Sequence, residues 1–351
     1  MKNFFLCLLC CVCFSCSVCS SETYVSKYSS GTPTIIFETD IGNDVDDALA
    51  LDMIYKYLDE KKINVLAICS NKNSEYSTEY IHLMNHWYGY DRIPIGKVIN
   101  GIDSENDAKN YAKHVCLLKD NNNQKLFKRP DFNYDSIPDA VKLYRKILAN
   151  QKNRSVTIVS VGFSTNIVRL LNSPPDEHSE LTGKELIRQK VKLLSIMAGS
   201  FGVNKIAEYN VMKDIPSAQS IVLQWPTKIV FTPYEAGVMV NYPGNSIKND
   251  FDWIDQHPLV EAYKSYMAMP YDRPTWDLIA LLYVVENSKE YFTQQPMGKV
   301  SIDQYGYTSY YEDKKGEHTF LTVNEIQADS VKKRFIEIIT RIPKFQRRIN
   351  N

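Results

Sequence analysis

Short apolar runs alternate along this chain with longer segments of helical spacing. The runs are rich in Ile, Val, Leu and Phe, as in buried parallel strands, and they cover residues 34–39, 63–71, 93–96, 155–162, 192–199 and 227–233. Between them, apolar residues recur every three or four positions, which predicts helices from Asp46 onward and over 77–89, 164–171, 215–224 and 275–285. This alternation predicts an α/β fold with a mostly parallel central sheet flanked by helices, in one domain over residues 34–345.

Four other regions add to this core pattern. Residues 103–135 are polar and rich in Asn, and we expect an exposed excursion there. Residues 244–273 are expected to form a helical cap over the functional site, and residues 296–320 predict a late β-hairpin. The chain ends with the pattern of an amphipathic helix over 331–348.

Residues 1–20 have the pattern of a secretory signal peptide. A basic residue precedes an apolar stretch that ends in small residues and is too short to span a membrane. FSC at 14–16 resembles the end of a bacterial lipoprotein signal, in which Cys16 carries the lipid, and plain cleavage near Ser20 is the alternative. We therefore expect export to the periplasm, or lipid anchoring at a bacterial cell envelope, with residues 21–33 as a spacer.

Composition argues against a nucleic-acid-binding protein and against a disulfide scaffold. The 41 basic and 41 acidic residues give zero formal charge, so no broad basic face is implied. Six of the eight cysteines lie before residue 20, which leaves Cys69, Cys116 and, for one choice of cleavage site, Cys19 in the mature chain. The expected partner is a small molecule.

An acidic cluster follows the first predicted strand. FETDIGNDVDD places five acids at residues 38, 40, 44, 46 and 47, with no Lys or Arg among them. The carboxyl ends of parallel strands form the binding edge of such sheets, and carboxylates that converge there repel one another. Two conditions relieve the repulsion: protons on some carboxyls, or a hard cation such as Ca²⁺ or Mg²⁺ with all-oxygen ligands.

Other interpretations of the acidic cluster are less well supported. An EF-hand loop has a different ligand spacing, and a phosphatase with a nucleophilic Asp has Asp where Glu38 stands. A plain acidic helix start accounts for Asp46 and Asp47 but leaves Asp40 unexplained. HLMNH at 82–86 puts two His on one helix face, but without a third ligand it does not indicate zinc.

Further along, the sequence resembles the nucleoside hydrolases, which cleave the N-glycosidic bond of ribonucleosides. Their first strand ends in a pattern like D-T-D-x-G-x-D-D-A-x-A-L, from which ETDIGNDVDDALAL differs by Glu38 and two extra residues. VGFSTNIVRLL at 161–171, AEYNVMKDIPSAQ at 207–219 and RPTWDLIALL at 273–282 are similar to later blocks of the family and stand in the same order. The resemblance covers residues 35–285.

The resemblance implies a Ca²⁺ site at the acidic cluster. Its ligands would be the carboxylates of Asp40, Asp47 and Asp277 and the backbone carbonyl of Thr165. Asp40 would also be the catalytic base, which takes a proton from the attacking water. Carboxylates around the sugar would stabilise an oxocarbenium-like transition state.

The resemblance also implies a ribose site in the same cleft. Asp46, Asn210 and Asp277 would hold the 2′- and 3′-hydroxyls, and Glu208 would reach the 5′-hydroxyl together with Asn204. The further candidates for contact with the sugar are Asn71 and Asn73.

One position departs from the family pattern. Many members carry His immediately before the last Asp, where it protonates the leaving base, and here that residue is Trp276. Trp is not a useful acid, so Trp276 either stacks on the base as a substrate-binding residue or packs against its helix. The remaining candidates for the leaving-group acid are Tyr209, Tyr234, Tyr271, Asp272 and His257.

Two functions remain open from the sequence. The first is Ca²⁺-dependent hydrolysis of ribonucleosides to ribose and base, as part of nucleoside salvage. The second is a non-catalytic or divergent calcium-dependent protein that binds ribose or nucleosides on the same fold, which the Trp276 substitution favours. The resemblance further implies a homodimer or a homotetramer.

Overall fold

The computed structural model describes residues 31–349, except residue 43 and residues 103–108. Its strands are β1 (Thr34–Thr39), β2 (Asn64–Lys72), β3 (Ile95–Ile102), β4 (Val156–Ser160), β5 (Val191–Met197), β6 (Lys228–Thr232), β7 (Asn241–Tyr242), β8 (Arg273–Pro274), β9 (Thr293–Gln294), β10 (Gly298–Ile302), β11 (Thr308–Glu312) and β12 (His318–Thr322). The six strands predicted from apolar runs correspond to β1–β6.

The helices include all five that the apolar spacing predicts, which are α1, α2, α5, α8 and α12. The full set is α1 (Asp46–Asp59), α2 (Glu75–Trp87), α3 (Tyr111–Leu117), α4 (Ala140–Ala149), α5 (Thr165–Leu171), α6 (Gly183–Lys190), α7 (Tyr209–Lys213), α8 (Ile215–Gln224), α9 (Tyr234–Met239), α10 (Gly244–Asn249), α11 (Pro258–Tyr266), α12 (Trp276–Val285), α13 (Glu325–Ile339) and α14 (Lys344–Ile349).

Ten strands form one sheet in the order β11-β10-β12-β6-β5-β4-β1-β2-β3, with β9 paired to β12. Every pair from β12 to β3 in that order is parallel, whereas β9, β10 and β11 pair antiparallel. The predicted mostly parallel sheet is therefore confirmed. Because β1 lies between β4 and β2, the acidic segment that follows it emerges in the middle of the carboxyl edge.

Helices cover both faces of the sheet, which explains why successive residues of its central strands are apolar. Ile35 and Phe37 of β1 lie in the core that α1 and α12 share. Ile36 points the other way, into the core that contains Leu143 of α4 and Ile167 of α5. A strand buried on both faces reads as a continuous apolar run, as this one does.

The region 103–135 is not wholly an exposed excursion, and the prediction was wrong for residues 111–117. These residues form α3, which buries Tyr111 and Val115. The side chain of Asn110 caps the helix by accepting a hydrogen bond from the Lys113 N–H at 3.0 Å. Seven residues are too few for a clear helical period, so the sequence did not indicate α3.

The C-terminal segment also differs in part from expectation. The predicted hairpin is present as β10 and β11, and α10 and α11 occupy the predicted cap. The single terminal helix is instead two, because α13 ends at Ile339 and α14 begins at Lys344. Pro343 lies between them, and proline lacks an N–H and disfavours helical geometry in the residue before it.

The predicted signal peptide and lipid anchor fall on residues outside the described part of the chain. Within the described part, no helix combines the length and the hydropathy needed to span a bilayer.

Candidate active site

A cavity of about 480 Å³ opens at the carboxyl edge of the sheet, beyond β1, β4 and β5. Its acidic side chains are Asp40, Asp44, Asp46, Asp47, Glu208 and Asp277. Its aromatic side chains are Tyr209, Tyr234, Tyr266 and Trp276. One concave site therefore combines carboxylates with ring surfaces, which suits a ligand that has both hydroxyls and a flat ring.

Three of these acids converge on one point. One oxygen each of Asp46, Asp47 and Asp277 lies within 4.8 Å of the other two, and all three residues are buried. The backbone N–H of Asp277 donates to the Asp46 carboxylate at 3.1 Å, which ties the start of α12 to the start of α1. The Thr39 hydroxyl donates to Asp47. Both helices begin here, and their N-terminal dipoles favour negative charge.

Burial and repulsion act together on this carboxylate trio (Asp46, Asp47 and Asp277). Burial raises the pKa of each carboxyl, and the neighbouring carboxylates raise it further. For Asp47 the charge of Asp40 is the largest of these neighbours, so the fourth acid acts on the same group. Buried oxygens under such repulsion, without Cys or His, fit a hard divalent cation such as Ca²⁺ or Mg²⁺.

Asp40 lies directly beyond β1 against a packed polar layer. A Cβ on Gly162 would come within 2.7 Å of both the backbone N and the Oδ1 of Asp40, and within 2.5 Å of the Asn71 Oδ1. Only glycine leaves room for these groups to approach one another. Asn71 in turn donates to Glu38 at 2.9 Å. The Asp40 carboxylate is therefore backed by buried amide and carboxyl groups.

Glu208 and Asn210 form a second polar wall of the cavity. The Glu208 carboxylate caps α7 and accepts hydrogen bonds from the N–H groups of Asn210, Gly199 and Val211, at 2.8, 3.1 and 3.2 Å. Burial raises the pKa of Glu208 to about 7. The Asn210 amide donates to the Val161 and Met197 carbonyls, each at 3.2 Å, which leaves its Oδ1 as an acceptor for a ligand.

A sequence profile of the inosine-uridine preferring nucleoside hydrolases matches residues 35–333. The chain belongs to this family. The pyrimidine-specific ribonucleoside hydrolase RihA of Salmonella newport (strain SL254) is 33% identical over 114 residues, which are 32% of this chain and 32% of RihA. The chain thus matches about a third of the length of this curated relative.

Solved structures of nucleoside hydrolases share the fold along most of the chain. The plant nucleoside hydrolase PpNRh1 has a TM-score of 0.65 at 18% identity, over 89% of this chain and 100% of that chain. An inosine-guanosine nucleoside hydrolase has a TM-score of 0.67 at 15% identity, over 88% and 99%. At these identities the likeness concerns the fold, and it confirms the α/β class.

Glu38 stands where the nucleoside hydrolase pattern has Asp, and it does not face the cavity lining. It is fully buried and accepts hydrogen bonds from the Asn71 and Asn166 amides, at 2.9 and 3.1 Å. Burial raises the pKa of Glu38 to about 8, and the two amides lower it in part. The Glu38 side chain, which is one methylene longer than that of Asp, therefore accepts hydrogen bonds within the buried polar layer behind Asp40.

The cavity brings together seven of the predicted site residues, which are Asp40, Asp46, Asp47, Glu208, Asn210, Trp276 and Asp277. Among the described residues, four others do not line it. Asn71 points to Glu38, and the Asn73 N–H donates to the Ile102 carbonyl. Asn204 is exposed, and the Thr165 hydroxyl donates to Asp214 at 2.5 Å. The roles expected for Asn71, Asn73, Asn204 and Thr165 stay predictions.

Trp276 forms a fixed wall of the cavity at the position where many nucleoside hydrolases carry His. Its Nε1–H donates to the Tyr234 carbonyl at 3.0 Å. Its ring lies 5.8 Å from the Tyr234 ring at an interplanar angle of 26°. Because the indole N–H is already bonded to a carbonyl, Trp276 contributes ring surface here and no proton.

Gly237 sets the position of Trp276, and its replacement tests this wall. A Cβ at 237 would come within 2.0 Å of the Trp276 ring. We expect Gly237→Ala to displace the indole, to lower the free energy of unfolding by about 1–3 kcal/mol and to change the tryptophan fluorescence. Urea unfolding and an emission spectrum measure both effects, and an unchanged spectrum contradicts the prediction.

Three of the five candidates for the leaving-group acid, Tyr271, Asp272 and His257, do not line the cavity. The Tyr271 hydroxyl donates to the Tyr263 carbonyl at 2.9 Å, and Asp272 accepts from a backbone N–H at 2.9 Å. His257 is buried among aromatic rings in the core. Tyr209 and Tyr234 do line the cavity.

His257 makes stability depend on pH. Burial, and to a lesser extent the charge of Lys56, lower its pKa well below the usual range. In the unfolded chain His257 therefore binds a proton as the pH falls through about 6.5, whereas in the folded chain it stays neutral. The free energy of unfolding therefore decreases as the pH drops below about 6.5. From pH 7.5 to 5.5 this single group costs about 1.4 kcal/mol.

Urea unfolding at pH 7.5 and 5.5 tests the effect against a variant. His257→Phe keeps an aromatic ring in the cage and removes the titrating group, so we expect the stability difference between the two pH values to shrink by about 1.4 kcal/mol. The absolute stability of the variant changes too, because the His257 Nδ1 accepts the Leu259 N–H. An equal pH dependence in both proteins contradicts the assignment.

Sequence reasoning missed several residues in the cavity lining and beside it. Arg273 forms a bidentate ion pair with Asp44, and its guanidinium carbon lies 5.1 Å from the centre of the Tyr266 ring. Lys109 and Tyr266 line the cavity beside this pair. No local signal marks these residues, because their contacts join segments far apart in the chain. The two His of HLMNH contact different groups, since His82 contacts the Pro130 carbonyl and His86 contacts Asp91.

Proposed function

We propose that this protein hydrolyses the N-glycosidic bond of ribonucleosides with the help of a divalent cation, and that the cation is Ca²⁺. The observation that carries the proposal is the carboxylate trio, which shares one cavity with Glu208, Asn210 and an aromatic wall. Membership of the nucleoside hydrolase family supports the same conclusion.

Asp46, Asp47 and Asp277 would hold the cation, with Asp40 beside them. The buried donor atoms and their mutual repulsion fit a dication, as argued above. When bound, the cation would offset that repulsion, acidify a water molecule and orient the ribose diol. The outer oxygens of Asp46 and Asp277 and the Asn210 Oδ1 would accept hydrogen bonds from the 2′- and 3′-hydroxyls.

Asp40 would act as the general base. It lies beyond β1 at the trio, where its carboxylate can accept a proton from the attacking water. The packed layer of Gly162, Asn71 and Glu38 limits its movement, which keeps the base in position before substrate arrives. The surrounding carboxylates would stabilise the positive charge that develops on the sugar.

Trp276 and Tyr234 would bind the leaving base through ring contact. Trp276 has no free N–H for proton transfer, so a departing base would rely on stacking and on the phenol of Tyr209 or Tyr234. This arrangement favours a base with a large flat surface. We also propose export across the cell envelope, which the leader-like residues 1–20 support.

A panel of ribosides tests the proposal. Inosine, adenosine, uridine and nicotinamide riboside are each incubated with the full chain, with Ca²⁺ and then with a chelator, and released ribose is measured. We expect turnover of at least one riboside that chelation stops and Ca²⁺ restores. Saturable binding without release of ribose from any riboside would favour the alternative, a calcium-dependent nucleoside-binding protein.

A further inference from the structure

An apolar ledge borders the cavity on the side of Glu208. It consists of Ile206, Tyr209 and Met212, which line the cavity and are nevertheless 37, 42 and 47% exposed. Exposed hydrophobic side chains that adjoin a ligand cavity are characteristic of a surface that binds something apolar. The ribose and base contacts proposed above use only the phenol of Tyr209 from this ledge, and they give Ile206 and Met212 no role.

The ledge is fixed to the residue that would meet the 5′ end of the sugar. Glu208 caps α7, and the Met212 N–H donates to the Glu208 carbonyl at 2.7 Å. The turn between β10 and β11 supports the ledge from behind, because a Cβ on Gly306 would lie 3.6 Å from the Met212 Cα. The ledge therefore starts at Glu208 and continues outward to the surface.

Glu208 has one acceptor position left for a 5′-hydroxyl. A carboxylate accepts about four hydrogen bonds, and three backbone N–H groups already donate to Glu208. The single hydrogen bond of a 5′-hydroxyl contributes little net affinity there, because the hydroxyl gives up a hydrogen bond to water in exchange. An apolar substituent on the same carbon would instead remove its own surface and part of the ledge from water.

The charges of the cavity select against a 5′-phosphate. Among the described residues, its lining contains six carboxyl groups and one cationic side chain, that of Lys109. Lys109 lies 4.9 Å from the centre of the Tyr266 ring and is not part of the ledge. Lys213 lies 5.1 Å from the centre of the Tyr209 ring but does not line the cavity. A phosphate on C5′ would meet the Glu208 carboxylate and an apolar surface at once.

We propose that the ledge is a subsite for an apolar 5′-substituent, so that 5′-alkylthio or 5′-deoxy ribonucleosides are preferred substrates. This inference rests on the function proposed above. The bond changes are those of hydrolysis: the C1′–N bond breaks, the water oxygen bonds to C1′, and a proton passes to the base. The products from 5′-methylthioadenosine are adenine and 5-methylthioribose.

Three adenine ribosides test the subsite with the full chain and Ca²⁺. We expect kcat/KM for 5′-methylthioadenosine to exceed that for adenosine about tenfold, the gain from burying roughly two methylene-sized groups. Adenosine 5′-monophosphate is expected to react more slowly than adenosine. If kcat/KM for 5′-methylthioadenosine exceeds that for adenosine, the result supports the subsite. If the ratio of these two values is one or less, the subsite is overturned while the proposed function stands. No turnover of any riboside overturns both.

A matched pair of variants assigns the preference to the ledge. Met212→Gln keeps the length of the side chain and makes its end polar, so the ratio of the two kcat/KM values should fall to about one. Leu223→Gln makes the same kind of change on an exposed residue of α8 outside the cavity, and it should leave the ratio unchanged. Because both substrates are measured on the same protein, a loss of folded enzyme cancels. If Met212→Gln leaves the ratio of the two kcat/KM values unchanged, the assignment of the preference to the ledge is overturned.

Discussion

Replacing Asp47 by asparagine is expected to stabilise the protein without metal while it abolishes turnover. Asp47 is buried beside Asp46 and Asp277, and its charge is repelled most strongly by Asp40. Asparagine removes that charge and can still accept the Thr39 hydroxyl. In the presence of a chelator we expect the free energy of unfolding to rise by about 1–2 kcal/mol.

The loss of the same charge weakens the cation site. We expect kcat/KM for the best riboside of the panel to fall about 10³-fold or more, because in the proposed mechanism catalysis depends on the cation and on the sugar that it orients. Wild-type protein should gain about 2.7 kcal/mol of stability when Ca²⁺ is present at 100 times its Kd, and the variant should gain far less at that concentration.

Urea unfolding with chelator and with Ca²⁺, together with release of ribose, measures these opposite changes. Asp329→Asn is the matched control, because Asp329 is exposed on α13 and its ion pair within the described part of the chain is with Lys332 of the same helix. In the control, neither the free energy of unfolding nor the activation free energy for release of ribose should change by more than about 0.5 kcal/mol. A variant at position 47 that loses stability with chelator present, or that keeps full activity, contradicts the role given to the trio.

Asp40→Asn should separate catalysis from metal binding. Asp40 lies in the same cavity but outside the group whose oxygens converge within 4.8 Å. An asparagine cannot accept a proton from water, so kcat should fall about 10²–10⁴-fold, the range for loss of a general base. KM should change far less than kcat, since the sugar contacts of Asp46, Asp277 and Asn210 remain.

Calcium-dependent stabilisation is the second readout for Asp40→Asn. Because the trio remains complete, we expect the variant to keep most of the stabilisation that Ca²⁺ gives the wild type, unlike Asp47→Asn. If the two variants lose it equally, Asp40 acts mainly as a ligand and another group must be the base. Steady-state kinetics and urea unfolding on the same preparations distinguish these outcomes.

The sequence was a good guide wherever one local pattern decided the structure. Ile35, Ile36 and Phe37 are apolar at successive positions, and only a strand covered on both faces buries all three, so β1 and its parallel neighbours were predictable. It was a poor guide for α3 and for the break at Pro343. Seven residues of α3 show too little periodicity, and the amphipathic pattern continues past the proline that ends the helix.

For the site, the sequence by itself determined most of the residues that line the cavity, because the acids are crowded at the end of a strand and the later blocks carry family patterns. Only the tertiary structure decided which of them converge. The backbone N–H of Asp277 donates to Asp46, which is 231 positions away in the chain, and no local pattern predicts such a contact. The same holds for Arg273 with Asp44, and for the ledge beside Glu208. The sequence specifies the chemical type of each side chain, whereas the distances between the charged groups depend on how the helices pack.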